Sequence, residues 1–169
     1  MNAHRRRYAS ALFAIALAGA AFRVGPAFSE TASPFARPGW ATMSTTHDFA
    51  TLATRLDEAV KANKMGVVNF ASASEGAKAQ GFAIPGNRVV GVYRNDFARR
   101  MLAASLPAGI EAPIRFYLTE NPDGTATLSY RKPSAVFGPY FDGAGPDLKA
   151  VASELDDIFA RIAADAARP

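Results

Sequence analysis

Residues 114–131 constrain the fold more than any other stretch of this chain. Ile114, Phe116 and Leu118 alternate with Arg115, Tyr117 and Thr119, and Ala126, Leu128 and Tyr130 alternate with Thr127, Ser129 and Arg131. Between the runs stands Asn121-Pro122-Asp123-Gly124. Proline at the second turn position and glycine at the last suit a type I turn closed by a left-handed glycine bulge. That turn sets 121 opposite 125, 118 opposite 128 and 116 opposite 130. In this register Ile114, Phe116, Leu118, Ala126, Leu128 and Tyr130 share one face. A four-residue loop would mix apolar with polar partners, because a one-residue slip turns a strand over. The other face then carries Arg115, Tyr117, Thr119, Thr127, Ser129 and Arg131, and is expected to be solvated.

Other elements fall around this hairpin. Asp48 is placed to cap a helix in which Phe49, Leu52, Ala53, Leu56 and Val60 share one side. Gly66 to Phe70 and Arg88 to Tyr93 read as strands, and Ser74 with Glu75 as the start of a short helix that stops at Gly81. Asn95 or Asp96 is expected to cap a helix through Phe97, Met101 and Leu102, ended by Pro107. A stretch broken by glycine and proline runs from Lys132 to Pro146. A last helix carries Leu148, Val151, Leu155, Ile158, Phe159 and Ile162 as a stripe. Helices and strands alternate irregularly around one hairpin. This predicts an α+β two-layer sandwich, with a mainly antiparallel sheet and helices packed on one face.

The N-terminus has the layout of a secretory signal peptide over residues 1–29. Arg5, Arg6 and Arg7 form a basic start, Ala9 to Phe22 is an uncharged run, and Ala27-Phe28-Ser29 offers a small-residue cleavage site. The run is shorter than the roughly 20 residues a membrane-spanning helix needs. Cleavage near Ser29 would leave a periplasmic or secreted protein without a stable membrane anchor. Residues 30–41, with Ser33-Pro34 and Arg37-Pro38-Gly39, read as a tether, and 42–166 as a single domain.

Removal of that segment cancels the net charge. The whole chain has 19 Lys and Arg against 15 Asp and Glu. Arg5, Arg6, Arg7 and Arg23 all lie before Glu30, and no acid does. The remaining chain is formally neutral and has no general attraction to a phosphate backbone, which weighs against nucleic acid as a partner. The chain has no cysteine. That excludes disulfides, a thiolate nucleophile and cysteine metal sites. His4 departs with the signal and leaves His47 alone, so a multi-histidine metal site within one chain is excluded. No Gly-x-Ser-x-Gly elbow or phosphate-cradling glycine loop is present. These residue types give no expectation of a catalytic residue, a cofactor or a metal.

From Thr42 to about Tyr140 the order of motifs resembles the domain-of-unknown-function family 302. Four stretches carry the resemblance: the opening from Ser44 to Leu56, the glycine-led strand Gly66-Val67-Val68, the entry Leu106-Pro107 to Ala112-Pro113-Ile114-Arg115-Phe116, and the exit Ser129-Tyr130-Arg131-Lys132-Pro133 after Asp123-Gly124. Two positions depart from the family's pattern. Arg94-Asn95-Asp96 stands where a Gly-Asn-Pro turn is frequent, and Ser72-Ala73-Ser74-Glu75 where many members have a histidine. The resemblance implies a small bacterial α+β domain and carries no particular activity.

The sharpest candidate site is the pair Arg115 and Arg131. The register sets them opposite one another on the polar face, where like charges are unfavourable by a few tenths of a kcal/mol, roughly. An anion between the two guanidinium groups would relieve this, with Tyr117 and Ser129 as hydrogen-bonding neighbours. Pairing with Glu111, Glu120 or another acid, or extension into water, would relieve it equally. His47 reads as a polar residue beside a helix cap or as a titrating group. Trp40 reads as packing on the domain edge or as an anchor for a partner. Tyr130 reads as a core tyrosine whose hydroxyl needs a partner, or as a pocket-lining one. The function expected from these residues is the binding or sensing of a small, anionic ligand. A homo-oligomeric or partner-binding domain is the alternative, and the residue types weigh against an enzyme.

Overall fold

A computed structural model describes residues 35–169. The expected signal peptide, 1–29, and the first residues of the tether lie outside them. The elements run β1 (Trp40–Ser44), α1 (Phe49–Ala62), β2 (Gly66–Ala71), α2 (Ala73–Ala79), β3 (Asn87–Tyr93), α3 (Asn95–Ala104), β4 (Ile114–Glu120), β5 (Ala126–Arg131), α4 (Pro133–Phe137) and α5 (Asp147–Ala167). Five antiparallel strands lie in the order β1-β5-β4-β3-β2. The fold is α+β, as the alternation of elements predicts.

The hairpin lies at the centre of the sheet, in the register its turn dictates. Phe116 faces Tyr130, Tyr117 faces Ser129, and Leu118 faces Leu128. The Gly124 N–H donates to the Asn121 carbonyl at 3.0 Å and the Asn121 N–H to the Thr125 carbonyl at 2.8 Å, with Gly124 at φ +82°. The inner face packs under the helices. Leu52 and Leu56 of α1 are buried with Phe116, Leu118 and Leu128 of the hairpin and with Leu148, Val151, Phe159 and Ile162 of α5. Phe159 stacks on Phe116 at 4.7 Å between ring centroids. The Asp48 carboxylate accepts from the Thr51 N–H at 2.7 Å, which caps α1 and holds the carboxyl below its ordinary pKa.

Four local expectations need correction. The cap of α2 is Ser72, whose hydroxyl accepts from the Glu75 N–H, while the Ser74 hydroxyl turns to Asn87. The residue before α3 is Arg94, which makes no capping bond. Its guanidinium instead pairs with Asp96 at 2.7 Å and lies over the Phe97 ring, so Asp96 is spent on an ion pair. The stretch after Lys132 is not wholly irregular, because Pro133 at the first helical position starts α4 and buries Val136 and Phe137. Strand β1 begins at Trp40, inside the expected tether, where it pairs with Arg131.

A further correction concerns the outer sheet face, which is not solvated throughout. Ser129 is 1% exposed and Thr127 7%. Phe35 stacks on Trp40 at 6.3 Å and meets Tyr117 edge-on at 5.9 Å. Since β5 lies between β1 and β4, that ring spans the strand that carries Ser129. Asn121 folds back from the turn and accepts from the Thr127 hydroxyl at 3.0 Å. Thr127→Ala is therefore expected to cost about 1–2 kcal/mol rather than the few tenths of a solvated position. Urea denaturation of the two proteins measures the difference, and a cost under about 0.5 kcal/mol would mean that the hydroxyl is wet.

Candidate functional site

The rule that places the hairpin's side chains also builds the site. Antiparallel partners share a face, so strand pairing sorts the outer face into rows across the sheet. One row reads Asn69, Gly91, Arg115, with Arg131 and Trp40 continuing it across β5 and β1. The next row, two residues along, reads Ala71, Val89, Tyr117, Ser129 and Thr42. Gly91 keeps the first row low, because a β-carbon there would run into the Asn69 side chain and the Pro113 ring.

These rows floor a cleft of about 710 Å³. Arg115, Arg131, Tyr117 and Trp40 line it, together with Val89 and Ala71 from the neighbouring strands. Ile114, Tyr130 and Val136 close the end at which β4 starts and β5 finishes. The structure thus brings three of the four expected site residues to one cavity. Ser129 is not among the lining residues; it lies buried beside Tyr117 and its hydroxyl donates to the Tyr117 carbonyl at 3.4 Å.

The two arginines share this cleft with one acid, Glu111, but do not pair with it. Both are exposed, and neither forms an ion pair among the described residues. The Arg131 guanidinium donates to the Ala135 carbonyl at 3.2 Å, a bond to a neutral acceptor. The acids that could have quenched the pair are engaged elsewhere. Glu111 accepts from the Tyr140 hydroxyl at 2.9 Å, and Glu120 accepts from the Gly86 N–H at 2.6 Å. The bond to Glu111 raises the Tyr140 pKa, with burial adding to it. Burial also raises the Tyr130 pKa, helped by the Asp156 carboxylate, so Tyr130 stays a neutral phenol at ordinary pH.

Two residues of the cleft escape a reading of the hairpin alone. Glu111 stands out in the sequence as an acid near Arg115, and the structure makes it a wall of the cleft. Val89 belongs to the strand read over Arg88 to Tyr93, with no face assigned to it by the sequence, and its pairing with Tyr117 turns it outward. Only the order of strands reveals this, and no local pattern encodes that order. The remaining candidates have structural places. The His47 Nε2 lies 2.7 Å from the Arg168 carbonyl, and the His47 carbonyl accepts from the Ala126 N–H. Trp40 is half-buried at the cleft's edge. Among the described residues, no three of His, Asp and Glu cluster in a way that could hold a metal, and no helix is long and apolar enough to cross a membrane.

Fold and site together define a small α+β domain with an open, arginine-bearing cleft on the outer face of an antiparallel sheet. The chain belongs to the family described as "Domain of unknown function DUF302", whose model matches residues 41–166. The match extends beyond the motifs at 42–140 and takes in α5. The fold is similar to the crystal structure of an uncharacterized conserved protein DUF302 from Bacillus stearothermophilus, with a TM-score of 0.67 and 22% sequence identity over 78% of this chain and 100% of that one. No curated protein matches the sequence.

Proposed function

We propose that this domain binds a small anionic ligand in the outer-face cleft and acts in the periplasm or outside the cell. One observation supports the binding reading above the others: Arg115 and Arg131 stand side by side in a cavity, while the nearby acids are bonded to other groups. Two guanidinium forks form strong, directional bonds to a carboxylate or oxyanion, and Tyr117 adds a neutral neighbour.

An anion that binds the folded state alone stabilises it by about 2.7 kcal/mol at a hundred times its dissociation constant. Thermal scans with small carboxylates, sulfate, thiosulfate and phosphate should therefore find a ligand that raises the midpoint beyond a chloride control. Arg115→Gln should abolish the gain and leave the free protein no less stable, since a like-charge contact has been removed. Arg131→Gln should also abolish it, at the further cost of the bond to Ala135. If no anion shifts the midpoint, or the variants respond like the wild type, the arginines are ordinary surface charge.

Export rests on the order of basic, apolar and small-residue regions before Glu30. N-terminal sequencing of material from the native host should begin near Glu30. Full-length protein in the cytoplasm, starting at Met1, would contradict it.

A homo-oligomer is the second reading. Strand β2 is an edge of the sheet, and its Val67, Val68 and Phe70 are 40%, 54% and 60% exposed. Exposed apolar edge strands are surfaces on which other chains pair. Sedimentation that shows the monomer mass alone from micromolar to millimolar protein would remove this reading.

A further inference from the structure

The cleft's size and the sequence of its rows say more about the ligand than that it is an anion. A cavity of about 710 Å³ is far larger than an inorganic oxyanion, and most of its wall is carbon. The charged row and the apolar row are two residues apart along the strands, about 7 Å. From Tyr117 the apolar row runs through Val89 to Ala71 across two strand spacings, roughly 10 Å in all. Among the described residues, three charged groups line the cleft: Arg115 and Arg131, and Glu111 against them. The balance is one positive charge, which suits a monoanion better than a polyanion.

We propose that the cleft takes an organic monocarboxylate with a flat or extended apolar body. Its carboxylate lies between Arg115 and Arg131, and its body lies over Tyr117, Val89 and Ala71. This rests on the anion reading and adds the apolar half of the ligand. The two halves depend on different residues. The guanidinium pair distinguishes the acid from its neutral amide. The apolar row distinguishes a long acid from a short one, because each fully buried methylene strengthens binding about fourfold.

The test uses naphthoate, naphthamide, acetate and sulfate, titrated into the full mature chain at neutral pH by calorimetry. Naphthoate should bind at least tenfold more tightly than acetate or sulfate, and at least tenfold more tightly than naphthamide. Arg115→Gln should remove the advantage over naphthamide. Val89→Thr, which keeps the shape of the side chain and replaces a methyl by a hydroxyl, should weaken naphthoate severalfold and leave acetate unchanged. If acetate or sulfate binds as tightly as naphthoate in an Arg115-dependent way, the apolar half is wrong and the anion reading stands. Equal binding of naphthamide and naphthoate overturns both. Naphthoate binding that neither variant alters lies elsewhere on the protein and overturns the proposal, as does the failure of all four probes to bind at millimolar concentration.

Discussion

Phe116→Ala should lower the unfolding free energy by about 3–5 kcal/mol, the usual cost of truncating a fully buried phenylalanine. Phe116 has no exposed surface, stacks on Phe159 and meets Tyr130 at 5.0 Å between centroids. It lies on β4, the middle strand of the sheet, with α1 and α5 above it. No neighbour can close the space without shifting a helix. Urea unfolding of wild type and variant, with unchanged slopes, measures the loss. A cost below about 1 kcal/mol would mean that the ring does not stand in the core and that the hairpin register is wrong.

Phe159→Ala should cost a similar amount, about 3–5 kcal/mol, for a different link in the fold. Phe159 comes from α5 and is 1% exposed. Its ring lies nearly parallel to Phe116, at 12°, and is tilted against Tyr130 at 5.7 Å. The two truncations should not add. Once one ring is gone, the other has already lost its partner, so the double variant should be more stable than the sum predicts by about 0.5–1.5 kcal/mol. Strict additivity in the double-mutant cycle would mean that the helix and the sheet do not meet through these rings.

The contrast between Phe116 and Val89 shows what a local pattern can and cannot carry. Phe116 is legible because the turn fixes its register and alternation does the rest. The caps divide in the same way. Asp48 precedes a long amphipathic helix and has no ion-pair partner among the described residues, so its role shows in the sequence. Asp96 looks equally suitable, but Arg94 stands two residues away and takes its carboxylate. Ser72 and Ser74 are chemically alike and both bond to Asn87 on β3, but only the Ser72 hydroxyl also accepts from the Glu75 N–H and caps α2. The opposed arginines follow from the hairpin register. The cavity around them needs β3 beside β4 and β1 beside β5, which are contacts between segments far apart in the chain. The burial of Ser129 and Thr127 has the same origin, since Phe35 and Asn121 reach the outer face from outside the strands.

The strand order has a consequence for how the polypeptide is made. Strands β1 and β2 are consecutive in the chain but lie at opposite edges of the sheet, with α1 connecting them. Trp40 has no hydrogen-bonding partner in the sheet until Arg131 exists. During synthesis the N-terminal half can therefore form α1 and the β2–β3 pair, but it cannot close a sheet. Closure waits for the β4–β5 hairpin, the most local pairing in the molecule, and loop-closure entropy favours that pairing first. A ribosome will have translated most of this domain before any of its core can be sealed.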